Sequence, residues 1–263
     1  MSDVVSISAE VKDALHSRRG VVALESTLLA HGMPAEVRMR VAQRLNDDVK
    51  RLGAEPAVIA VFDGRIHVGL TDALLERLCV EPRVHKCSER ELAVALATGG
   101  VHATTVSSTV WAARAAGIRV FATGGIGGVH RGAEVTLDES QDLHAMSRHP
   151  VAVISAGAKA ILDLPKTLER LETLGVLVVG YRTAHFPAFY AQSSGLPLDV
   201  HTDAMETLGH ICHARFSTLG QGGVLVCNPV PGEHALDEHV MNAAIAEALS
   251  DAQAKGISGK ALT

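Results

Sequence analysis

The order of apolar and polar positions predicts strands and helices in alternation along the whole chain. Val11, Ala14 and Leu15 share one face of a helix over 9–19, closed by Gly20. Val21-Val22-Ala23-Leu24 reads as a buried strand. Val37, Val41, Leu45, Val49 and Leu52 recur at helical spacing and predict a long helix ending at Gly53. Ala57 to Phe62, the turn signal Asp63-Gly64 and the return Arg65 to Val68 predict a hairpin. Thr71 can cap a helix holding Leu74, Leu75 and Leu78. Val84 to Cys87 reads as a short strand, and Ser88-Glu89-Arg90-Glu91 as a capping box. An alanine-rich helix ends at Gly117. Further strands are expected at 118–122, 151–154, 176–181 and 223–227, and helices near 168–174, 202–218 and 236–254. There is no repeat, low-complexity tract or linker. The reading is one α/β domain over 1–263, a three-layer α/β/α sandwich around a largely parallel mixed sheet.

Composition narrows the class. With 263 residues, 47% of them hydrophobic, the chain can bury a sizeable core. Its net charge of −5 offers no general attraction to nucleic acid or to an anionic membrane surface. No uncharged apolar run is long enough for a membrane span, and Met1-Ser2-Asp3-Val4 lacks a signal pattern. Cys79, Cys87, Cys212 and Cys227 form no CxxC pair and read as reduced and buried, which fits a cytoplasmic protein. No nucleic-acid or membrane partner is expected.

Five glycines fall between Thr123 and Gly132, directly after a strand, with His130 and Arg131 among them. Glycine permits positive φ and close approach, so this is either a loop whose N–H groups wrap an anion or a tight connection. It matches neither the dinucleotide fingerprint nor the P-loop. Thr104, Thr105, Ser107, Ser108 and Thr109 are too many hydroxyls for capping alone, so a polar ligand is considered for them. Asp138-Glu139-Ser140-Gln141-Asp142 opens a short helix, where acidic charge is also favourable in its own right. His144 and His149 are spaced five apart, wrong for one helix face, and read as solvated rather than metal-ligating. His210 and His213 lack a second cluster to complete a metal site.

Lys159 stands among small and apolar residues at an expected helix start. Desolvation and the helix dipole would there favour a neutral, nucleophilic amine suited to Schiff-base chemistry; the alternative is a surface lysine lying along apolar neighbours. Glu25 directly after a buried strand is either functional or the acidic start of a helix. Ala184 to Tyr190 is read as a lid or a hydrophobic plug. Glu25, Lys86, Thr123, Ser155 and Asn228 all fall at or near C-terminal ends of expected strands, where open α/β sheets bind ligands.

Ala23-Leu24-Glu25-Ser26-Thr27, His31-Gly32-Met33-Pro34, Ala103-Thr104-Thr105-Val106, Phe121 to Gly132, Ala156-Gly157-Ala158-Lys159, Leu168 to Val176 and Asn228-Pro229-Val230-Pro231 together resemble the pseudouridine-5′-phosphate glycosidase family, also called the indigoidine synthase A family. The resemblance covers almost the whole chain in order. It implies reversible cleavage of the C–C glycosidic bond of pseudouridine 5′-phosphate to uracil and ribose 5-phosphate, a divalent metal (Mn²⁺, or another such as Mg²⁺), and a homotrimer. By resemblance Lys159 attacks the ribose anomeric carbon and holds it as an imine, and Glu25 moves the proton. Lys86, Val106, Thr123, His130, Ser140, Gln141 and Asp142 bind substrate, and Asp138 binds the metal. The chemistry suits these groups, because a carbon leaving group needs both a covalent electron sink and an acid.

The chain departs from the family pattern at several positions. Ser155 stands where cysteine is usual, Ala160 where serine is, and Asp-Glu-Ser-Gln-Asp replaces Asp-Ile-Ser-Ala-Asp at 138–142. Family chains also continue past Lys260-Ala261-Leu262-Thr263, so a C-terminal segment is expected to be missing. Two other readings stay open: a Schiff-base lyase acting on another sugar phosphate, and an inactive sugar-phosphate binding protein.

Overall fold

The computed structural model describes residues 4–257; the 260–263 terminus, on which the expectation of a missing segment rests, lies outside the described residues. The chain forms two compact units, Met1–Ala122 and Thr123–Thr263.

The first unit contains β1 (Val5–Ile7), α1 (Ala9–His16), β2 (Val21–Leu24), α2 (Thr27–His31), α3 (Ala35–Arg51), β3 (Glu55–Phe62), β4 (Arg65–Val68), α4 (Asp72–Val80), β5 (Val84–Cys87), α5 (Leu92–Thr98), β6 (Val101–Thr104), α6 (Val106–Ala116) and β7 (Val120–Ala122). It is organised by β3, whose eight residues are all buried, as a strand covered on both faces requires. Its first half runs parallel to β2, which pairs in turn with β7. Its second half is antiparallel to β4 on one edge and to β6 on the other, and β5 extends the sheet parallel to β6. Val58, Ala60 and Phe62 point to one face, where Leu29, Ala30, Ala42, Leu75 and Leu78 of α2, α3 and α4 cover them. Ala57, Ile59 and Val61 alternate to the other face and are equally buried.

The hairpin turn forms as expected. Asp63 and Gly64 both take positive φ (50° and 81°), the signature of a type I′ turn. Arg77 grips the Asp63 carboxylate with both arms, at 2.6 and 3.0 Å. The Thr71 cap and the Ser88/Glu91 capping box are present. The sequence reading missed β1 and β6. β6 has only Val101 and Ala103 as apolar positions, and partners at β3 and β5 set its extended form.

The second unit contains α7 (Ala133–Thr136), α8 (Gln141–Arg148), β8 (Ala152–Ser155), α9 (Leu164–Thr173), β9 (Leu177–Tyr181), β10 (His201–Thr202), α10 (Met205–His213), β11 (Val224–Cys227) and α11 (Glu238–Ala254). β8, β11, β9 and β10 pair in that order, all parallel, and Leu208 of α10 packs on Ala152, Val179, Val224 and Val226. The helix expected over 202–218 is shorter, because Ala214–Thr218 widens into a π turn. Residues 156–163 are not helical; α9 begins at Leu164, with Asp163 as its cap. The fold class is the expected α/β one, mostly parallel and mixed through β3, with helices on both faces. Among the described residues no helix is long and apolar enough to cross a membrane. The four cysteines are free. Burial raises their thiol pKa values, that of Cys87 to about 11.

Candidate active site

In the first unit, Glu25 follows β2 directly and is half-buried. Its neighbours are tied down by a buried hydroxyl knot. Thr104 donates its N–H to Ser26 Oγ at 2.8 Å and its Oγ1 to the Ile59 carbonyl at 2.6 Å. Thr109 donates to Thr104 Oγ1 at 3.0 Å, and Thr27 to the Thr104 carbonyl at 2.7 Å. Ser108 donates to the Cys87 carbonyl at 2.7 Å, and Ser107 Oγ accepts from Glu89 N at 3.1 Å. Thr104, Thr105, Ser107, Ser108 and Thr109 are therefore buried and joined within the fold, where a polar ligand had been considered for them. The knot joins the C-terminal ends of β2, β5 and β6 to the start of α6. That fixes the chain around Glu25, Lys86 and Val106. Lys86 is exposed near the end of β5, and Val106 is the buried first residue of α6.

Close to Lys86 lies His31. Burial pushes its imidazole below the ordinary value, and Lys86, Arg38 and His85 add to the effect. Burial and then Arg65 do the same to His67. The unfolded chain then binds more protons than the fold just below the ordinary histidine pKa. Stability is thus full above about pH 6.5 and declines as pH falls below it. We expect His31→Gln to flatten the decline of urea midpoints between about pH 7 and pH 5; an unchanged slope would exclude His31 as its source.

In the second unit the site residues gather on an irregular ribbon of three strips. The middle strip is the glycine loop. On one side it meets the lysine segment: Ala156 N donates to Gly124 O (3.1 Å), Ile126 N to Gly157 O (3.0 Å), Lys159 N to Ile126 O (3.1 Å) and Asp163 N to Val129 O (2.9 Å). On the other side it meets residues 138–140: His130 N donates to Asp138 O (3.0 Å) and Ser140 N to Gly128 O (2.9 Å). Thr123 N anchors the loop's start to Ile154 O in β8. Ser140 caps α8, of which Gln141 is the first residue, and the Asp142 carboxylate accepts from Gly127 N at 2.9 Å. Thr167, buried in α9, accepts from Val129 N at 3.0 Å.

This geometry revises the reason for the glycines. The N–H groups of Thr123, Ile126, Gly127, Val129 and His130 are engaged within the fold and do not wrap an anion. Gly125, Gly127 and Gly128 serve close approach, and Gly132 takes a positive φ of 80°. A Cβ at Gly127 would overlap Ser140 Oγ and stand 2.9 Å from Asp142 Oδ2, and one at Gly128 would overlap Thr167 Oγ1.

Lys159 differs from expectation. It is exposed, and its segment follows a strand without beginning a helix. Among the described residues no ion pair or side-chain hydrogen bond engages its amine. Its backbone is nonetheless held by the glycine loop. The residues at the departures 155, 160 and 139 are each engaged within the fold. Ser155 Oγ accepts from Gly157 N at 3.2 Å, Ala160 joins an apolar cluster with Ala188, Ala191 and Met241, and Glu139 pairs with Arg170 at 2.7 Å.

His130 Nδ1 lies 3.8 Å from Asp138 Oδ2. Among the described residues there is no group of three or more His, Cys, Asp or Glu able to hold a metal. A single carboxylate completed by water and substrate oxygens suits Mg²⁺ or Mn²⁺, not zinc, so Asp138 fits the implied metal in that mode only. His149 is buried at the end of α8 whereas His144 is exposed, which corrects the reading of both as solvated. In the 184–190 segment Phe186 is fully buried and Phe189 is partly so, a plug more than a lid. Sequence reasoning missed Thr167 and Phe189 as supports; only an unusual backbone conformation (φ +64°) marks Phe189, and no sequence pattern reveals it.

Comparison with known proteins converges on one family. The chain is 49% identical over 263 residues to a pseudouridine-5′-phosphate glycosidase of Caldanaerobacter subterraneus subsp. tengcongensis, matching all of this chain and 86% of that one. It is 50% identical over 264 residues to the protein of that name from Sorangium cellulosum, covering 83% of it. Among solved structures, the prealnumycin C-glycosynthase AlnA in complex with ribulose 5-phosphate superposes with a TM-score of 0.92 at 42% identity, over 99% of this chain and 84% of that one. An indigoidine synthase A-like protein from Thermotoga maritima does so with a TM-score of 0.84 at 32% identity, over 93% and 80%. With the family model for indigoidine synthase A like proteins matching residues 10–263, the chain belongs to that family.

Proposed function

We propose that the protein is a pseudouridine-5′-phosphate glycosidase, a lyase that reversibly cleaves the nucleotide's C–C glycosidic bond to uracil and ribose 5-phosphate. The observation that carries this is near-half identity to proteins of that name over the full length of this chain. The ribbon that carries Lys159, Thr123, His130 and Asp138 supports it.

The Lys159 amine forms a bond to the ribose C1′ as the ring oxygen leaves C1′ and takes a proton. The C1′–C5 bond then breaks. The nitrogen lone pair makes a C1′=N imine, the bonding pair enters the uracil ring, and Glu25 supplies the proton that C5 takes up. Water hydrolyses the imine, releasing ribose 5-phosphate and restoring the amine. Lys86, Val106, Ser140, Gln141 and Asp142 line the substrate, and Thr123 and His130 meet its phosphate, whose remote binding energy positions the reaction. Asp138 would hold a divalent cation, Mn²⁺ or Mg²⁺, which when bound offers positive charge to substrate oxygens. A cytoplasmic homotrimer belongs to the same reading. Incubation with pseudouridine 5′-phosphate and Mn²⁺ is expected to release uracil, and uracil with ribose 5-phosphate to re-form the nucleotide. No reaction in either direction would defeat the proposal.

A further inference from the structure

Phe189 holds a left-handed backbone conformation, φ +64°. An aromatic residue rarely adopts it, and such strain persists only where the surroundings impose it. Three contacts impose it here. Its N–H donates to the Ala156 carbonyl at 3.0 Å, fastening it to the strip that carries Lys159. Its ring lies on the glycine loop: a Cβ added at Gly125 would stand 2.5 Å from Phe189 Cε2 and nearer still to Cδ2, and one at Gly124 3.9 Å from Cε2. It also packs against the apolar cluster of Ala160, Ala188, Ala191 and Met241. Tyr190, stacked edge-on at 4.5 Å, backs the ring.

Phe189 therefore touches both strips whose rungs set Lys159: the lysine strip through its N–H and the glycine loop through its ring. The glycines under the ring adjoin the rungs Ala156 N to Gly124 O and Ile126 N to Gly157 O, which are followed by Lys159 N to Ile126 O. Ala160, the residue after the lysine, is in the cluster that Phe189 packs against. Among the described residues no ion pair or hydrogen bond aims the exposed Lys159 side chain, so the attitude of the backbone decides where the amine reaches. We infer that Phe189 is a positioning residue for Lys159, clamping the lysine strip onto the glycine loop so that the amine meets the sugar's anomeric carbon in a reactive geometry. This rests on Lys159 being the imine-forming residue.

The test uses the full chain and two variants. Phe189→Gly keeps the backbone conformation without strain and removes the ring; Gly125→Ala leaves the ring but pushes it off the loop. Both are compared with wild type and Lys159→Ala for kcat, KM and the rate of borohydride trapping with ribose 5-phosphate. A misplacement near 1 Å predicts losses of about tenfold to 100-fold in kcat and in trapping rate, with KM within about threefold. Phe189→Leu, which keeps apolar bulk, should recover much of the loss. Trapping and kcat within twofold of wild type in both variants would overturn the inference, as would losses that vanish on cooling in step with regained folded protein. If wild-type Lys159 is not trapped at all, the imine reading itself fails and the inference falls with it; trapping of wild type with no change in the variants removes the inference alone.

Discussion

Lys159→Ala is expected to abolish uracil release from pseudouridine 5′-phosphate, with a fall in kcat of about 10⁴-fold or more, as when an enzyme loses its nucleophile. The proposed bond to C1′ has no substitute. Oxygen from water donates its lone pair as the C–C bond breaks much less readily than the nitrogen of the lysine adduct does. The exposed position of the lysine, held only through its backbone, means the substitution should leave stability nearly unchanged. The variant should therefore remain folded by circular dichroism, still bind ribose 5-phosphate, and lose its borohydride-trapped adduct. Substantial uracil release by a folded Lys159→Ala protein would remove the lysine from the mechanism and favour an ordinary acid–base route.

The largest stability effect is expected in the first unit. Thr104→Val keeps the shape of the side chain but removes a hydroxyl that donates to Ile59 O, accepts from Thr109 Oγ1 and lies 3.3 Å from Ser26 Oγ. Thr104 is fully buried, so water cannot reach the groups left behind. A loss of about 2–3 kcal/mol follows from leaving buried polar atoms without partners. For a chain of this size that lowers the melting temperature by about 5–10 °C. The exposed Thr98, whose hydroxyl bonds only the Val94 carbonyl, serves as a control, and Thr98→Val should change stability by less than about 0.5 kcal/mol. Equal effects from the two substitutions would show that the knot does not stabilise the unit. A loss of activity in Thr104→Val beyond the fraction unfolded would show that the knot also sets Glu25.

Much of this was readable along the chain because the physics was local. β2, β4 and β5 match their expected bounds. The Asp63-Gly64 turn, the Thr71 cap, the Ser88 box and the Gly117 helix end depend on side chains within a few residues of one another. Likewise the placing of Glu25, Thr123, Ser155 and Asn228 at strand ends followed from apolar runs giving way to polar residues. Candidate chemistry was legible wherever a residue type was unusual for its position, as with a carboxylate after a buried strand.

Where the sequence alone misled, the deciding partner was distant in the chain. The glycine loop looked like an anion cradle because glycine's small size cannot say what approaches it; Ser140 and Thr167 do. The hydroxyls at 104–109 looked like a ligand site because nothing nearby reveals that Ser26, Ile59 and Cys87 take them. Lys159 was expected at a helix start since Ala156 to Leu162 favours helix, yet pairing with the glycine loop holds that segment in isolated bridges followed by a turn, since tertiary hydrogen bonds outweigh a weak local preference. By itself the sequence determined the alternation of strands and helices and the identity of the reactive groups, because periodicity and residue chemistry are local properties. Only the tertiary structure decided which polar groups support the fold and which are left for a substrate, because a hydrogen bond between residues tens of positions apart leaves no trace in the sequence around either one.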